Sequence, residues 1–253
     1  MMHRLTAALL ALMMILLLLP GVNAEEQTEN TTQRLSNEEL FPFFDNCIFV
    51  GDSITRQLRV YVLEQQKKDP AFMKGTRFFT AQSYMLYIAS RKYLQSDAVN
   101  LTLNGDESTM TNIIRQLKPR YVFILLGVND YIGETIDKGI GYVERIIELA
   151  KEASPETVIV FQSLTPVTRA FCRKKDYRTM WDKYNVAMKE ACEKNGAVYL
   201  EIAEVLKDEE GYLKESYSSD GKYHLGDDGL KLWVECLLDF AQSEADAGRW
   251  EPK

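Results

Sequence analysis

The sequence predicts an α/β domain in which a parallel β-sheet of about five strands lies between two layers of helices, a three-layer α/β/α fold. Two patterns lead to this prediction. Short apolar runs alternate along the chain with longer segments of helical periodicity, as expected when a crossover helix follows each strand. In addition, the apolar run at residues 121–126 lacks in/out alternation, which is typical of a parallel strand covered on both faces.

The predicted elements follow one another in β, α, β, α order. The first strand ends in Gly51-Asp52-Ser53, and the spacing of Leu58 and Val62 predicts a helix directly after it. Strands are predicted at residues 47–50, 77–80, 121–126, 157–161 and 197–200. Two further helices are predicted at about residues 138–153 and 179–194. Right-handed crossovers between these strands place helices on both faces of the sheet.

One segment departs from this alternation. Between residues 99 and 110 the pattern alternates around Asn104-Gly105, a dipeptide that favours a two-residue turn, so a small hairpin outside the main sheet is predicted. A helical segment at residues 113–117 is expected to end at Lys118-Pro119, because the residue before a proline disfavours the helical conformation.

The N-terminal residues have the composition of an export signal. Arg4 supplies a positive charge, residues 7–19 form an apolar run, and Val22-Asn23-Ala24 has the small residues of a cleavage site. An uncleaved membrane anchor is the alternative, but this run is shorter than the roughly 20 apolar residues that span a bilayer. We therefore expect a signal peptide at residues 1–24, secretion, and no stable membrane insertion of the mature protein.

The segment after the predicted signal peptide contains few apolar residues that could be buried. Residues 25–40 are polar and acidic, and they predict a flexible leader. Residues 41–253 then remain as a single domain, a length that is sufficient for a sizeable core.

Composition limits the partners and the chemistry. Acidic residues outnumber basic ones by 37 to 30, so a nucleic acid partner is not expected. The chain has two histidines, and loss of the signal peptide leaves His224 as the sole candidate for a histidine base. The four cysteines form no CxxC motif, and with so little histidine no metal site is predicted. Cys47, Cys192 and Cys236 lie in or beside apolar segments and are expected to be buried free thiols.

Three polar clusters lie where a ligand is expected in such a sheet. They are Gly51-Asp52-Ser53, residues 127–130 with the sequence Gly-Val-Asn-Asp, and the segment from Asp220 to His224. The first two follow predicted strands, and the third precedes a C-terminal helix that would return it to the same edge. Ligands of open parallel sheets bind beyond the carboxyl ends of the strands. Each motif alone arises by chance, but their order and setting favour one common site.

At these clusters the sequence resembles the GDSL/SGNH hydrolases, a family of serine esterases. The resemblance runs from about residue 43 to residue 240 and is strong at residues 49–54 and 125–130. It implies a flavodoxin-like sheet with strand order 2-1-3-4-5, which also places a ligand crevice at the switch point. The resemblance further implies the catalytic residues Ser53, His224 and Asp220. The implied oxyanion hole consists of the backbone N–H groups of Ser53 and Ser83 and the amide of Asn129.

The residue types suit acyl transfer. A serine hydroxyl becomes nucleophilic when a base accepts its proton, and an imidazole accepts that proton and returns it to the leaving alcohol. A serine between a strand and a helix presents its oxygen beside the N–H groups of the helix N-terminus. A neutral amide such as that of Asn129 stabilises an oxyanion without protonating it. The reaction needs no metal or cofactor.

Two positions depart from the family pattern. The glycine expected after the second strand is replaced by Ser83, whose N–H is usable only if the residue adopts the backbone angles that glycine allows. The family's aspartate stands three residues before the histidine, whereas Gly221 holds that position here and Asp220 lies one residue further away. A bulge at Gly221-Lys222 would restore the contact with His224. Otherwise a backbone carbonyl orients the imidazole.

The resemblance implies ester hydrolysis without naming the substrate. Expected export and the lack of a long apolar lid favour small acyl groups, such as O-acetyl groups on glycans. A lysophospholipase or thioesterase of the same family is one alternative. The two altered positions leave open another, a non-catalytic carbohydrate-binding module that kept the scaffold and lost turnover.

Overall fold

A computed structural model describes residues 34–130 and 135–252 of the chain. The strands are β1 (Cys47–Gly51), β2 (Arg77–Thr80), β3 (Leu101–Leu103), β4 (Asp106–Ser108), β5 (Tyr121–Leu125), β6 (Val158–Gln162) and β7 (Val198–Leu200). The α-helices are α1 (Asn37–Leu40), α2 (Ser53–Lys68), α3 (Leu86–Ala89), α4 (Met110–Leu117), α5 (Ile136–Ala153), α6 (Tyr177–Lys194) and α7 (Asp227–Asp246). Short 3-10 turns are Phe41–Phe44, Phe171–Arg173, Glu204–Leu206 and Glu215–Tyr217.

The main sheet is parallel throughout and has the order β2-β1-β5-β6-β7. Counted along the chain, this is the predicted order 2-1-3-4-5, so the predicted sheet is confirmed. The two central strands, β1 and β5, are buried along their whole length, as their uninterrupted apolar sequences require. The chain winds outward in opposite directions from this central pair, and a crevice therefore opens at the carboxyl ends of β1 and β5.

Helices cover both faces of the sheet. The β1-to-β2 and β5-to-β6 crossovers run in opposite directions across the sheet, so right-handed connections put α2 and α5 on opposite faces. Helix α7 packs against α2, while α4 and α6 pack against α5. The three-layer arrangement is thus confirmed. Among residues 34–130 and 135–252, no helix combines the length and apolar character needed to cross a membrane.

The predicted hairpin lies outside the main sheet, as strands β3 and β4. Asn104 and Gly105 have φ values of 56° and 97°, the positive angles that the two central residues of a tight hairpin turn require. Helix α4 then begins at Met110, earlier than predicted, and Lys118 ends it in a left-handed conformation with φ 44°, directly before Pro119.

The folded region begins earlier than predicted. The leader expected over residues 25–40 is wrong for its last part, because α1 occupies the final four positions and Leu40 is fully buried. Ser36 and Glu39 form a reciprocal capping box at the start of α1, so these polar side chains stabilise a helix end. Residues 1–33, with the predicted signal peptide and the rest of the leader, lie outside the described residues.

All four cysteines are free thiols. Cys47 and Cys192 are buried, as predicted, because they lie in β1 and on the inner face of α6. Cys236 is only half-buried, contrary to the prediction, since its position on α7 faces the margin of the core.

Candidate active site

Ser53 is the first residue of α2, directly after the tight turn that ends β1. A side chain at Gly51 would place its Cβ 2.0 Å from Thr55 Oγ1 and 2.8 Å from the carbonyl oxygen of Leu125. Glycine therefore lets the helix start close to β5. Asp52 caps the helix, and its carboxylate accepts a backbone N–H of the first turn at 2.9 Å. The turn thus sets Ser53 at the carboxyl edge of the sheet.

Three side chains form a continuous hydrogen-bonded row at this edge. Ser53 Oγ lies 2.9 Å from His224 Nε2, and His224 Nδ1 lies 2.7 Å from Asp220 Oδ2. The carboxylate is an acceptor, so it favours the tautomer with the proton on Nδ1 and leaves the Nε2 lone pair facing the serine hydroxyl. The His224 and Asp220 side chains are 26% and 30% exposed, so the row lies at the surface of the crevice.

The extra residue between Asp220 and His224 is accommodated by a tight turn. Gly221 has φ 69°, the left-handed conformation that glycine adopts at little cost. The second carboxylate oxygen of Asp220 accepts the N–H groups of Lys222, Tyr223 and His224 at 2.8, 3.2 and 3.3 Å. The contact expected from sequence is therefore present, and the expected bulge takes the form of a turn wrapped around the carboxylate.

These contacts also set the charge of Asp220. Partial burial raises the pKa of the carboxyl, but hydrogen bonds from His224 and from the backbone N–H of Lys222 outweigh it, and the net pKa is lowered. Asp220 is consequently ionised in the pH range in which an imidazole acts as a base.

The histidine loop is fastened to the scaffold on two sides, by residues that no sequence motif marks. The Gln57 side chain pairs with Leu225, donating to its carbonyl and accepting its N–H, both at 3.0 Å. Gln57 also donates to Ser219 Oγ at 3.2 Å. On the other side, Thr168 donates its hydroxyl to Gly221 O at 2.6 Å and its N–H to the next carbonyl at 2.7 Å. These bonds fix the distance between the serine helix and His224.

Ser83 has a backbone conformation that is more usual for glycine. Its φ is 59°, in the left-handed region that favours glycine. Its side chain is exposed at the edge of the crevice. Within residues 34–130 and 135–252, its backbone N–H makes no hydrogen bond. The N–H of Ser53 lies in the first turn of α2, where backbone donors lack partners inside the helix.

The amide of Asn129 is placed differently from the expectation. Its Nδ2 donates to Asp52 Oδ2 at 2.8 Å and to the carbonyl oxygen of Tyr84 at 3.1 Å. Both amide hydrogens, expected to face an oxyanion, are therefore engaged, because a buried carboxylate and a carbonyl compete for them. Asn129 ties together the segments that follow β1, β2 and β5. Among residues 34–130 and 135–252, the N–H groups of Ser53 and Ser83 have no hydrogen-bond acceptor.

Two buried carboxylates next to the predicted residues were not selected from sequence. Asp52 is fully buried, and loss of hydration raises its pKa to about 7, although the hydrogen bond from Ile54 opposes this. Asp130 is also buried and accepts the N–H groups of Leu86 and Tyr87 at 2.9 and 3.1 Å, which caps helix α3. Their place inside the GDS and GVND motifs was the available signal.

One cleft of about 900 Å³ contains all the predicted site residues. Its lining includes Ser53, Ser83, Asn129, Asp220 and His224. In the described part of the chain, no group of three or more His, Cys, Asp or Glu side chains is arranged to hold a metal ion. The cleft thus brings together a serine hydroxyl, an imidazole hydrogen-bonded to a carboxylate, and the backbone of Ser83 around one open space.

Solved structures share this fold at low sequence identity. A GDSL-like lipase from Bacteroides thetaiotaomicron is 18% identical, with a TM-score of 0.57 over 79% of this chain and 88% of that one. A carbohydrate esterase family 3 protein from Talaromyces cellulolyticus is 15% identical, with a TM-score of 0.55 over 78% of this chain and 98% of its own. A variant acetyl-xylooligosaccharide esterase from Geobacillus Stearmophilus is 15% identical, with a TM-score of 0.54 over 77% and 93% of the two chains.

No protein with curated annotation matches the sequence. The model of the GDSL-like lipase/acylhydrolase family does match it, over residues 49–232. That range covers most of the described domain and includes Ser53, Asn129 and His224. The chain therefore belongs to the GDSL-like lipase/acylhydrolase family and is a hydrolase that acts on ester bonds.

Proposed function

We propose that the protein is a serine esterase that forms an acyl-enzyme on Ser53. His224 acts as the general base and Asp220 orients it. The observation that carries this assignment is the unbroken row from Ser53 Oγ through the imidazole to the carboxylate, with distances of 2.9 and 2.7 Å.

The first half of the reaction transfers the acyl group to the enzyme. Ser53 Oγ bonds to the ester carbonyl carbon while its proton passes to His224 Nε2, and the carbonyl π electrons move to oxygen. The resulting oxyanion accepts hydrogen bonds from the N–H groups of Ser53 and Ser83. When the intermediate collapses, the ester C–O bond breaks and His224 returns the proton to the leaving alcohol.

The second half releases the acid. A water molecule gives a proton to His224 and bonds to the acyl carbon, and the same donors stabilise the second oxyanion. Collapse breaks the bond to Ser53 Oγ, which regains its proton from His224. Loss of one oxyanion donor typically costs about a hundredfold to a thousandfold in rate, so each of the two N–H groups is expected to contribute on that scale.

For the substrate, we propose small acyl groups, such as acetyl, on glycans. The cleft is open and carries the charged side chains Arg56, Glu64 and Lys68, which suit a polar substrate better than a fatty chain. Two of the similar structures are, by name, a carbohydrate esterase and an acetyl-xylooligosaccharide esterase. This lining disfavours the lysophospholipase alternative.

The non-catalytic alternative rested on the two altered motif positions. Ser83 has the glycine-like backbone angle, and Asp220 lies in contact with His224 despite the additional residue. Both features support turnover, because each altered position retains the geometry that hydrolysis needs.

The test is hydrolysis of 4-nitrophenyl acetate by the purified mature protein. We expect Ser53→Ala to abolish turnover and to leave the unfolding transition unchanged. The matched control is Ser96→Ala, since Ser96 is an exposed serine outside the cleft. Unchanged activity in Ser53→Ala, with a folded protein, would end the proposal.

A further inference from the structure

We infer that the part of the cleft that follows helix α2 away from Ser53 binds the alcohol portion of the substrate as an extended polar oligomer, such as an oligosaccharide. This inference rests on the proposed function and adds to it an orientation and a binding site. The region, called the α2 arm below, has two walls. Its walls are residues 56–68 on the cleft face of α2 and residues 225–230 at the start of α7.

One face of α2 lines the cleft over the entire helix. The lining residues from this helix are Ser53, Arg56, Gln57, Val60, Tyr61, Glu64, Gln65 and Lys68. Their spacing alternates between three residues and one, which is the pattern of a single helical face. With a rise of 1.5 Å per residue, this face extends roughly 22 Å from the nucleophile. An acetyl group fills only a small part of such a space.

The opposite wall identifies which part of the ester enters the α2 arm. This wall begins at His224 and continues through Leu225, Gly226 and Asp227 to Leu230. His224 returns its proton to the leaving alcohol, so the alcohol oxygen must lie within about 3 Å of Nε2. The alcohol is therefore held on the histidine side, where the wall leads into the α2 arm. Ser83 lines the other end, so the oxyanion and the acyl group belong there.

The side chains of the α2 arm suit a polyol. The Gln65 amide and the charged groups offer partners to hydroxyls, and the half-buried ring of Tyr61 offers a flat apolar surface to sugar C–H groups. Burial and the nearby carboxylate of Asp227 raise the pKa of Tyr61, so its hydroxyl stays neutral and able to donate. A fatty chain in the same place would remove Arg56 and Lys68 from water without giving them partners, which is costly.

The experiment compares acetylated oligomers of xylose, glucose and N-acetylglucosamine, from one to six units, with 4-nitrophenyl acetate. For at least one sugar series we expect kcat/KM to rise at least tenfold with length. Tyr61→Ala should lower the ratio of kcat/KM for the longest oligomer to that for 4-nitrophenyl acetate by about tenfold, through KM. The control is Tyr93→Ala, since Tyr93 is 74% exposed and lies outside the cleft lining. It should leave that ratio unchanged.

The outcomes separate the two proposals. If the wild-type protein fails to hydrolyse 4-nitrophenyl acetate, the esterase assignment itself fails. If it hydrolyses this ester but no series shows a dependence on length, the α2 arm does not bind the alcohol and only this inference is overturned. An equal loss on all substrates in Tyr61→Ala, or faster hydrolysis of 4-nitrophenyl palmitate than of the acetate, would overturn it as well.

Discussion

Replacement of Asp220 by asparagine tests the orienting role of this carboxylate with a nearly isosteric change. Both carboxylate oxygens accept hydrogen bonds. One accepts from the imidazole at 2.7 Å, and the other accepts from three backbone N–H groups at 2.8 to 3.3 Å and from the Ser218 hydroxyl at 3.3 Å. Asparagine has one acceptor oxygen. Whichever way the amide is turned, its NH2 group faces donors that the carboxylate satisfied.

Each orientation of the amide has a defined cost. If the amide oxygen keeps the backbone contacts, its NH2 group faces His224 and favours the proton on Nε2, where it blocks proton transfer from Ser53. The corresponding change in serine proteases lowers kcat about ten-thousandfold. If the amide is reversed, the turn loses its three backbone hydrogen bonds, worth about 2 to 4 kcal/mol in total, and the imidazole is displaced. We therefore expect Asp220→Asn to lower kcat by about a thousandfold or more.

The assay is steady-state hydrolysis of 4-nitrophenyl acetate, with circular dichroism to show that the variant is folded. Asp97→Asn is the control, because Asp97 is an exposed carboxylate outside the cleft lining, and it should retain wild-type kcat. A loss of less than about tenfold in Asp220→Asn would refute the orienting role. A backbone carbonyl would then hold the ring, and Ser53 and His224 would work as a dyad.

Three further substitutions test the surroundings of the site. Gln57→Ala removes the bonds to Leu225, called the Gln57 clamp, and should lower the free energy of unfolding by about 2 kcal/mol and kcat about tenfold. Gln65→Ala, a truncation on the same helix face, is the control and should leave urea unfolding unchanged. Equal losses of stability in the two variants would contradict the role of the clamp. Ser83→Gly should retain kcat and unfold at the same or slightly higher urea concentration. Ser83→Val should be destabilised by about 1 kcal/mol or more, because a β-branched residue is strained at a φ of 59°. Equal stabilities of the two variants would argue against backbone strain at this position. Asp52 binds its proton more tightly in the folded state, with a pKa near 7 against 3.8 for the ordinary group, so wild-type stability should fall as pH rises from about 4 to 7. The stability of Asp52→Asn should not fall over this pH range. Parallel plots of unfolding free energy against pH for the two proteins would count against a raised pKa of Asp52.

Much of the fold is predictable because each central strand is an uninterrupted apolar run. Strands β1 and β5 are buried on both faces, so nearly every position in their sequences is apolar. The predicted start of the domain was wrong, and the cause is a different one. Ser36 and Glu39 are polar because they cap a one-turn helix, and composition alone does not distinguish a cap from a flexible leader.

The site was predictable where position along the chain decides geometry. Ser53 follows a strand, and His224 is the sole histidine outside the predicted signal peptide, so both candidate roles follow from order and residue type. The partners of Asn129 were not predictable, because the competing acceptor Asp52 is available only through tertiary burial. The clamp by Gln57 joins residues 168 positions apart, and no local pattern indicates such a pair.

Covalent labelling with a fluorophosphonate tests most directly whether Ser53 is a nucleophile activated by His224. The probe reacts with an activated serine hydroxyl, and mass spectrometry of the digested protein identifies the residue that carries it. We expect stoichiometric label on Ser53, much slower labelling in His224→Ala and none in Ser53→Ala. Label on another serine, or equally fast labelling of Ser53 without His224, would contradict the assignment of nucleophile and base.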